Sequence, residues 1–206
     1  MQKFVFFITL SDMNINNKVV LDIETSNTFQ EVGGYFTDKL DMSVVCAYFY
    51  ETDSWQSYTQ ETVSELFKRL EHCDGIIGYN TISFDIPVLN RYYPGDLLKI
   101  SQIDLLAIIE RSLGFRIKLD DVAAATIGTR KSAHGLLAVE WWKQGRVQDV
   151  IDYCLQDVKV TKEVYEFGLK NGYILFDDRT GERRQVFVDF SDPKEKSGGL
   201  NLTLGF

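Results

Sequence analysis

The sequence predicts an α/β protein: a mixed β-sheet flanked by helices, with a C-terminal β-hairpin. Strand-like segments come first and then alternate with helical segments, an order typical of a sheet with parallel and antiparallel portions. The 206 residues are 45% hydrophobic and 25% charged and include 3 prolines. This composition matches folded proteins and excludes disordered or collagenous chains, and the length predicts about one domain of ~100–200 residues.

The predicted strands follow a period of two. Residues 18–24 (KVVLDIE) begin with apolar side chains on both faces, which predicts a central strand. Residues 43–51 and 54–59 carry β-branched and aromatic side chains on either side of a short turn, which predicts a hairpin beside it. Residues 4–10 are also interpreted as a strand, because they lack the cleavage pattern of a signal peptide.

The helices are predicted from the period of 3.6. Thr62 and Glu65 have the spacing of a capping box and open an apolar stripe that runs to Cys73. A short strand is predicted at residues 75–79. Further helical segments are predicted at residues 82–93, 103–113, 118–127, 134–142 and 146–171.

The C-terminal part is predicted to be a hairpin of residues 173–177 and 184–190, followed by a loose tail or an arm onto a partner at 191–206. The predicted division of the chain is therefore a main domain at 1–172 and a hairpin with its tail at 173–206.

Several classes of protein are disfavoured. The three cysteines form no C-x-x-C pair and have apolar neighbours, which favours reduced core thiols over disulfides or a zinc site. No apolar run reaches the ~18 residues of a membrane span, so we expect a cytoplasmic protein that does not bind membranes. The net charge of −8 argues against a nucleic-acid partner, unless several acids are concentrated in one metal site.

Four acids are candidates for such a site. Asp22 and Glu24 share one face at the end of the predicted central strand, where they either coordinate a hard cation such as Mg²⁺ or Mn²⁺ or are simply solvated as the strand ends. Asp85 lies near the start of a predicted helix and also suits an ordinary first-turn acid. Asn80 also suits a plain turn residue.

Asp157 is the most informative acid. In the predicted helix at 146–171 it falls inside the apolar arc, and Tyr153 lies one turn earlier toward the edge of that arc. A buried aspartate needs a hydrogen-bond partner, an ion pair or a cation, because an unpaired buried charge is very costly.

Taken in order, D22-I-E24, N80-T-I-S-F84-D85 and Y153-C-L-Q-D157 resemble the three motifs of the DnaQ-like 3′→5′ exonucleases with four acids, in their tyrosine-containing subgroup. The wording is similar to the proofreading domain of family B DNA polymerases, and K118-L-D-D-V-A-A-A-T-I-G128 resembles the helix before their third motif. The resemblance covers roughly residues 18–172. It implies a ribonuclease-H-like fold and stepwise hydrolysis of phosphodiester bonds from a free 3′ end.

The resemblance also implies residue roles and two divalent ions, Mg²⁺ or Mn²⁺. Asp22, Glu24 and Asp157 would hold the ion that binds the attacking water, and Asp22, with Asp85 directly or through water, would hold the second. Tyr153 would orient or help deprotonate that water. Two substrate contacts are further implied: Asn80 near the terminus of the strand, and Phe84 as a wedge against the terminal base, although Phe84 equally suits a core aromatic.

This sequence departs from the sister subgroup, which has a histidine five residues before the last acid, where Asp152 stands here. His72 and His134 lie elsewhere, so neither is expected to be catalytic. Several basic residues are candidates for nucleic-acid contact or plain surface cations: Lys118, Arg130, Lys131, Lys143, Arg146, Arg183 and Arg184. Trp141 and Trp142 are expected either to stack on bases or to anchor a helix.

The expected function is thus a metal-dependent 3′→5′ exonuclease that releases 5′-mononucleotides, with DNA favoured over RNA by resemblance alone. The alternative is a non-catalytic nucleic-acid-binding or scaffold module of a helicase or polymerase assembly, which intact acids disfavour. A structural acidic domain with accidental motifs is a third reading, which the inward position of Asp157 disfavours.

Overall fold

The computed structural model describes residues 15–129 and 135–193. The strand predicted at 4–10, most of the tail predicted at 191–206, and the side chains of Arg130, Lys131 and His134 lie outside the described residues. In the described part of the chain, no helix combines the length and apolar composition needed to cross a membrane.

The main sheet is mixed and has five strands: β1, Lys18–Thr25; β2, Met42–Phe49; β3, Ser54–Thr59; β4, Gly75–Gly78; and β5, Ser101–Asp104. Their order is β3-β2-β1-β4-β5. β1 pairs antiparallel with β2 and parallel with β4, so it is the central strand, as its two apolar faces predict. The hairpin of β2 and β3 is also confirmed.

The described residues form six α-helices: α1, Val63–Leu70; α2, Asp85–Leu89; α3, Leu105–Leu113; α4, Leu119–Thr126; α5, Gly135–Lys143; and α6, Val147–Asn171. Strands and helices together confirm the predicted α/β fold. On α6 the predicted apolar arc is buried, including Val150, Cys154, Val158 and Val164. The helix ends at Gly172, whose φ of +73° suits glycine.

Three local predictions were wrong. The capping box does not form, because the Thr62 hydroxyl accepts from the Thr59 N–H (3.0 Å) and makes no cap hydrogen bond within α1. The helix predicted at 82–93 is only five residues long, since the preceding turn is bonded elsewhere: the Ile82 N–H donates to Asp104 (3.1 Å). The helix predicted at 103–113 begins only at Leu105, because residues 101–104 form the edge strand β5. This strand is short and partly polar, so it has no clear period of two.

The central strand separates two hydrophobic clusters. Val19, Leu21 and Ile23 pack in one of them with the buried faces of α1 and α2. Val20 packs in the other, with α6 and the C-terminal residues. Since side chains of a strand alternate, Asp22 and Glu24 point to the Val20 side and therefore toward α6.

A C-terminal hairpin is confirmed, formed by β6 (Tyr173–Asp177) and β7 (Arg183–Phe187). Its buried side chains belong to the same cluster as α6. Beyond it, Asp192 forms a buried ion pair with Lys18 at the start of β1 (3.6 Å) and accepts from Ser101 (2.5 Å). The division at residue 172 stays a prediction, and the hairpin packs on the same core as the preceding part of the chain.

Candidate active site

The end of β1 supplies the first two acids. Asp22 is half-buried and Glu24 is buried, and both face α6 for the reason of strand alternation given above. Asp22 lies opposite Cys46 in the register of β1 with β2. The Cys154 thiol of α6 donates to the Asp22 backbone oxygen (3.3 Å), which fixes the helix against this strand.

Asp157 completes a group of three acids. It lies on the buried arc of α6 and is 4% exposed, as its position inside the predicted apolar arc indicates. One carboxylate oxygen from each of Asp22, Glu24 and Asp157 lies within 4.8 Å of the other two. Three converging carboxylates repel one another, and hard oxygen donors of this kind suit Mg²⁺ or Mn²⁺, so these residues could hold a metal ion.

Asp85 lies on the same cleft but is not a member of that group of three. It is the first residue of α2, and its Oδ1 accepts from the Ile23 N–H (3.1 Å), between the two acids of β1. Burial raises the pKa of the Asp85 carboxyl to about 8, and the nearby carboxylates of Asp104 and Asp157 act in the same direction. A cation beside this carboxyl would favour its ionised form.

Tyr153 is buried one turn before Asp157 on α6 and also lines the cleft. The edge of its ring contacts Trp141 of α5, with ring centroids 6.1 Å apart at 75°. The ring contact with α5 helps to fix the tyrosine in the cleft that the carboxylates also line.

The remaining two predicted residues lie in different places. Phe84 is half-buried and lines the cleft, where its ring contacts Phe29. Asn80 instead lines a neighbouring groove of about 540 Å³. It has a left-handed φ of +71°, and its side-chain oxygen accepts from Arg116 (2.5 Å). Tyr79 lines both cavities and joins them.

The cleft itself has a volume of about 310 Å³. Besides the acids it is lined by the loop that follows β1 and by α5: Asn27, Thr28, Phe29, Leu136 and Val139. These residues were not singled out from the sequence. For Asn27, Thr28 and Phe29 the reason is that the long loop carries no periodic pattern that predicts which of its side chains turn inward.

Asp104 was also missed, although it holds the second motif in place. It is buried, and its carboxylate accepts from three backbone N–H groups: Asn80 (2.8 Å), Ile82 (3.1 Å) and Ala107 (3.2 Å). The last bond caps the start of α3. An aspartate directly before the apolar run 105–109 is a helix-start signal that could have revealed it.

Most of the predicted basic contacts are engaged by carboxylates. The ion pairs are Lys143 with Glu31 (2.6 Å), Arg146 with Asp149 (2.8 Å), Arg183 with Asp177 (2.9 Å) and Arg184 with Asp178 (2.8 Å). Lys118 lines the groove next to Asn80. Trp141 and Trp142 pack half-buried on the core cluster, which favours the anchoring interpretation. His72 lies on a different pocket from the acids.

The comparison with protein families agrees with this architecture. A family model described as the RNase_H superfamily matches residues 19–167. The chain belongs to the RNase H superfamily. The matched region starts in β1 and ends in α6, so it includes Asp22, Glu24, Asp85 and Asp157. RNase H-like proteins are usually nucleases that use divalent metals, which suits the carboxylate cluster of this chain. A comparison with curated proteins found no match.

Proposed function

We propose that this protein is a metal-dependent 3′→5′ exonuclease of the DnaQ-like, tyrosine-containing four-acid subgroup. Its substrate is nucleic acid with a free 3′ end, with DNA favoured over RNA, and its products are 5′-mononucleotides. The observation that supports this most directly is the convergence of Asp22, Glu24 and Asp157 within 4.8 Å. Asp85 and Tyr153 line the same cleft, so the whole ordered set of motif residues meets there apart from Asn80.

The chemistry assigned to the site is hydrolysis of the terminal phosphodiester. Divalent cations, when bound, supply Lewis acidity that acidifies a water and offsets negative charge on the phosphate. Asp22, Glu24 and Asp157 would hold one cation, and Asp22 with Asp85 a second. Hydrolysis by a metal-activated water needs no covalent nucleophile from the protein. The nearby Cys154 thiol is not suited to that role, because burial raises its pKa well above the usual range and keeps it protonated.

Tyr153 would act on the water rather than on the cations. Its phenol oxygen would position the water and pass on or accept its proton, since the ring is fixed by Trp141 on one side. Phe84, which also lines the cleft, would contact the terminal base. The volume of about 310 Å³ is at the small end of ligand pockets, which are ~300–1,000 Å³, and favours one terminal nucleotide over a continuous duplex.

The test is a cleavage assay with labelled single-stranded DNA, duplex DNA and RNA in Mg²⁺ or Mn²⁺. A ladder of one-nucleotide steps from the 3′ end, absent in excess chelator, supports the proposal. Asp22→Ala and Asp157→Ala should lose both metal binding and nearly all cleavage. Asp152→Ala is the matched control, because this exposed residue lies on the outer face of the same helix. Nicking of a closed circle by the purified protein would contradict the exonuclease assignment.

A further inference from the structure

The loop between β1 and β2, residues 26–41, has a fixed base. The Asp41 N–H donates to Asn27 Oδ1 (2.8 Å), and Asn27 Nδ2 donates to Asp41 Oδ2 (3.3 Å). The Ser26 N–H donates to the Asp41 backbone oxygen (2.8 Å), and Arg91 binds the Asp41 carboxylate (2.9 Å). The loop therefore leaves the sheet and returns to it through one bonded pair of residues, beside the acids of β1.

Aromatic rings follow this loop from the cleft to the surface. Phe84 and Phe29 both line the cleft and meet edge to face, with centroids 6.0 Å apart. Tyr35 then stacks on Phe29, with centroids 4.2 Å apart and an interplanar angle of 26°. Tyr35 is 68% exposed, although a large aromatic ring at such exposure gains little from packing. We call these three residues the aromatic column.

The backbone holds Tyr35 in this position. Gly33 and Gly34 have φ values of +82° and +152°, and the Gly34 N–H donates to the Phe29 oxygen (2.9 Å). This tight turn folds the chain back and lays the tyrosine ring on Phe29. The ring is therefore supported from below by another aromatic while its outer side is left to solvent, which is the arrangement of a preformed stacking surface.

The chemistry of the surroundings favours a nucleobase as the occupant. Every base has a π-face that stacks on an aromatic side chain, and such stacking does not depend on charge or sequence. The column is continuous with the cleft of the acids, where the terminal nucleotide is expected to lie. The same loop also carries a cation, since Lys39 lies over the Phe36 ring (4.1 Å to its centroid).

We infer that Tyr35 is a stacking platform for an unpaired base of the substrate strand, upstream of the terminal nucleotide. A base that remains paired is stacked in its own duplex and has to be unstacked before it can meet the ring, at a cost of a few kcal/mol. The platform therefore selects single-stranded 3′ ends over paired ones. This inference rests on the proposed function, because that function places the strand end in the cleft.

The test measures binding and not only activity. The probe is a fluorescein-labelled single-stranded DNA oligonucleotide, read by anisotropy with Ca²⁺ in place of Mg²⁺. We expect Tyr35→Ala to weaken binding by about 5- to 150-fold, the range for loss of one base–aromatic stack of ~1–3 kcal/mol. Tyr35→Phe should keep wild-type affinity. Phe187→Ala, on the 75% exposed ring of β7, is the matched control and should change nothing.

A scan of abasic sites separates direct stacking from a structural effect. Removing one base at a time near the 3′ end should identify one upstream position where wild-type binding falls, and Tyr35→Ala should be insensitive at that position. Blunt duplex should bind Tyr35→Ala and wild type equally. Equal affinity of the two proteins for the single strand, or abasic losses that are unchanged in Tyr35→Ala, would overturn the inference. If a 3′→5′ ladder persists in that case, the proposed function still stands; if wild type binds no DNA and cleaves none, both fail.

Discussion

Replacing Asp157 with asparagine should stabilise the metal-free protein and remove most of the extra stability conferred by Mg²⁺. Both effects have one cause. The three carboxylates of Asp22, Glu24 and Asp157 are close enough to share a cation and therefore close enough to repel one another without it. Asparagine keeps the size and shape of the side chain and removes its charge.

The size of the effect follows from the separation. At 4.8 Å and an effective dielectric constant of about 20, two unit charges repel by about 3 kcal/mol. Asp157 takes part in two of the three pairs, but solvent ions and hydrogen bonds offset much of this repulsion, so we expect a net gain of about 1–3 kcal/mol. For a chain of this size each kcal/mol shifts Tm by about 2–4 °C, which gives a rise of about 2–12 °C.

The assay is thermal unfolding in excess EDTA and in excess MgCl₂. Wild type should gain about 3 kcal/mol at a Mg²⁺ concentration one hundred times Kd, whereas Asp157→Asn should gain much less at the same concentration, because it lacks one of the three carboxylates of that site. Asp152→Asn is the control: it removes the same charge from the exposed face of α6 and should respond to Mg²⁺ like wild type.

Two results would refute the reasoning. If Asp157→Asn melts below wild type in EDTA, the carboxylate is held by stabilising protein contacts that outweigh the repulsion. If it keeps the full response to Mg²⁺, the ion does not use this carboxylate.

Three further predictions concern the surroundings of the cluster. Burial raises the pKa of Asp85 to about 8, so the unfolded chain releases this proton at a lower pH than the folded protein does. The free energy of unfolding of the metal-free protein should therefore fall as pH rises from about 4 to 8. Urea titrations with EDTA should show a flatter fall for Asp85→Asn. Asp104→Ala should lower both stability and the rate of single-turnover cleavage, because three backbone N–H groups lose their acceptor. Each lost acceptor costs about 1–3 kcal/mol of stability. Wild-type cleavage by a folded variant would contradict the positioning role of Asp104. Gly168→Ala should destabilise the protein by about 1–3 kcal/mol in urea titrations, since a methyl group there overlaps the Phe190 ring. The cost of this overlap exceeds the ~1 kcal/mol gain in helix propensity. An unchanged midpoint would show that Phe190 can move aside.

The sequence predicted the features that depend on one repeated local pattern. The central position of β1 follows from apolar residues on both faces of one strand, and the inward direction of Asp157 follows from the period of one long helix. These two elements alone bring three of the acids together, because α6 packs across the end of β1 through Cys154 and Asp22.

Features that depend on distant partners were not predictable in this way. The turn at residues 80–84 is held by Asp104, which lies 24 positions after Asn80. The residues around the turn carry no sign of this distant acceptor, so their pattern predicted a longer helix. The capping box failed for a similar reason, since the Thr62 hydroxyl bonds to Thr59 in the preceding turn. The aromatic column is set by two glycines and by the pairing of Asn27 with Asp41 across the loop, none of which has a periodic signature.

The charge of the protein limits how it can hold a polyanion. With a net charge of −8, and with Lys143 and Arg146 already paired with carboxylates, these cations contribute little free attraction to a phosphate backbone. Attraction then depends on cations held by the carboxylate cluster and on ring stacking, which is insensitive to net charge. The carboxylate cluster and the aromatic column meet in one cleft. Only a strand end that enters this cleft can therefore contact bound cations and stacking rings at the same time. Under the proposed function, the acidity of the chain would restrict the substrate to strand ends instead of preventing nucleic-acid binding.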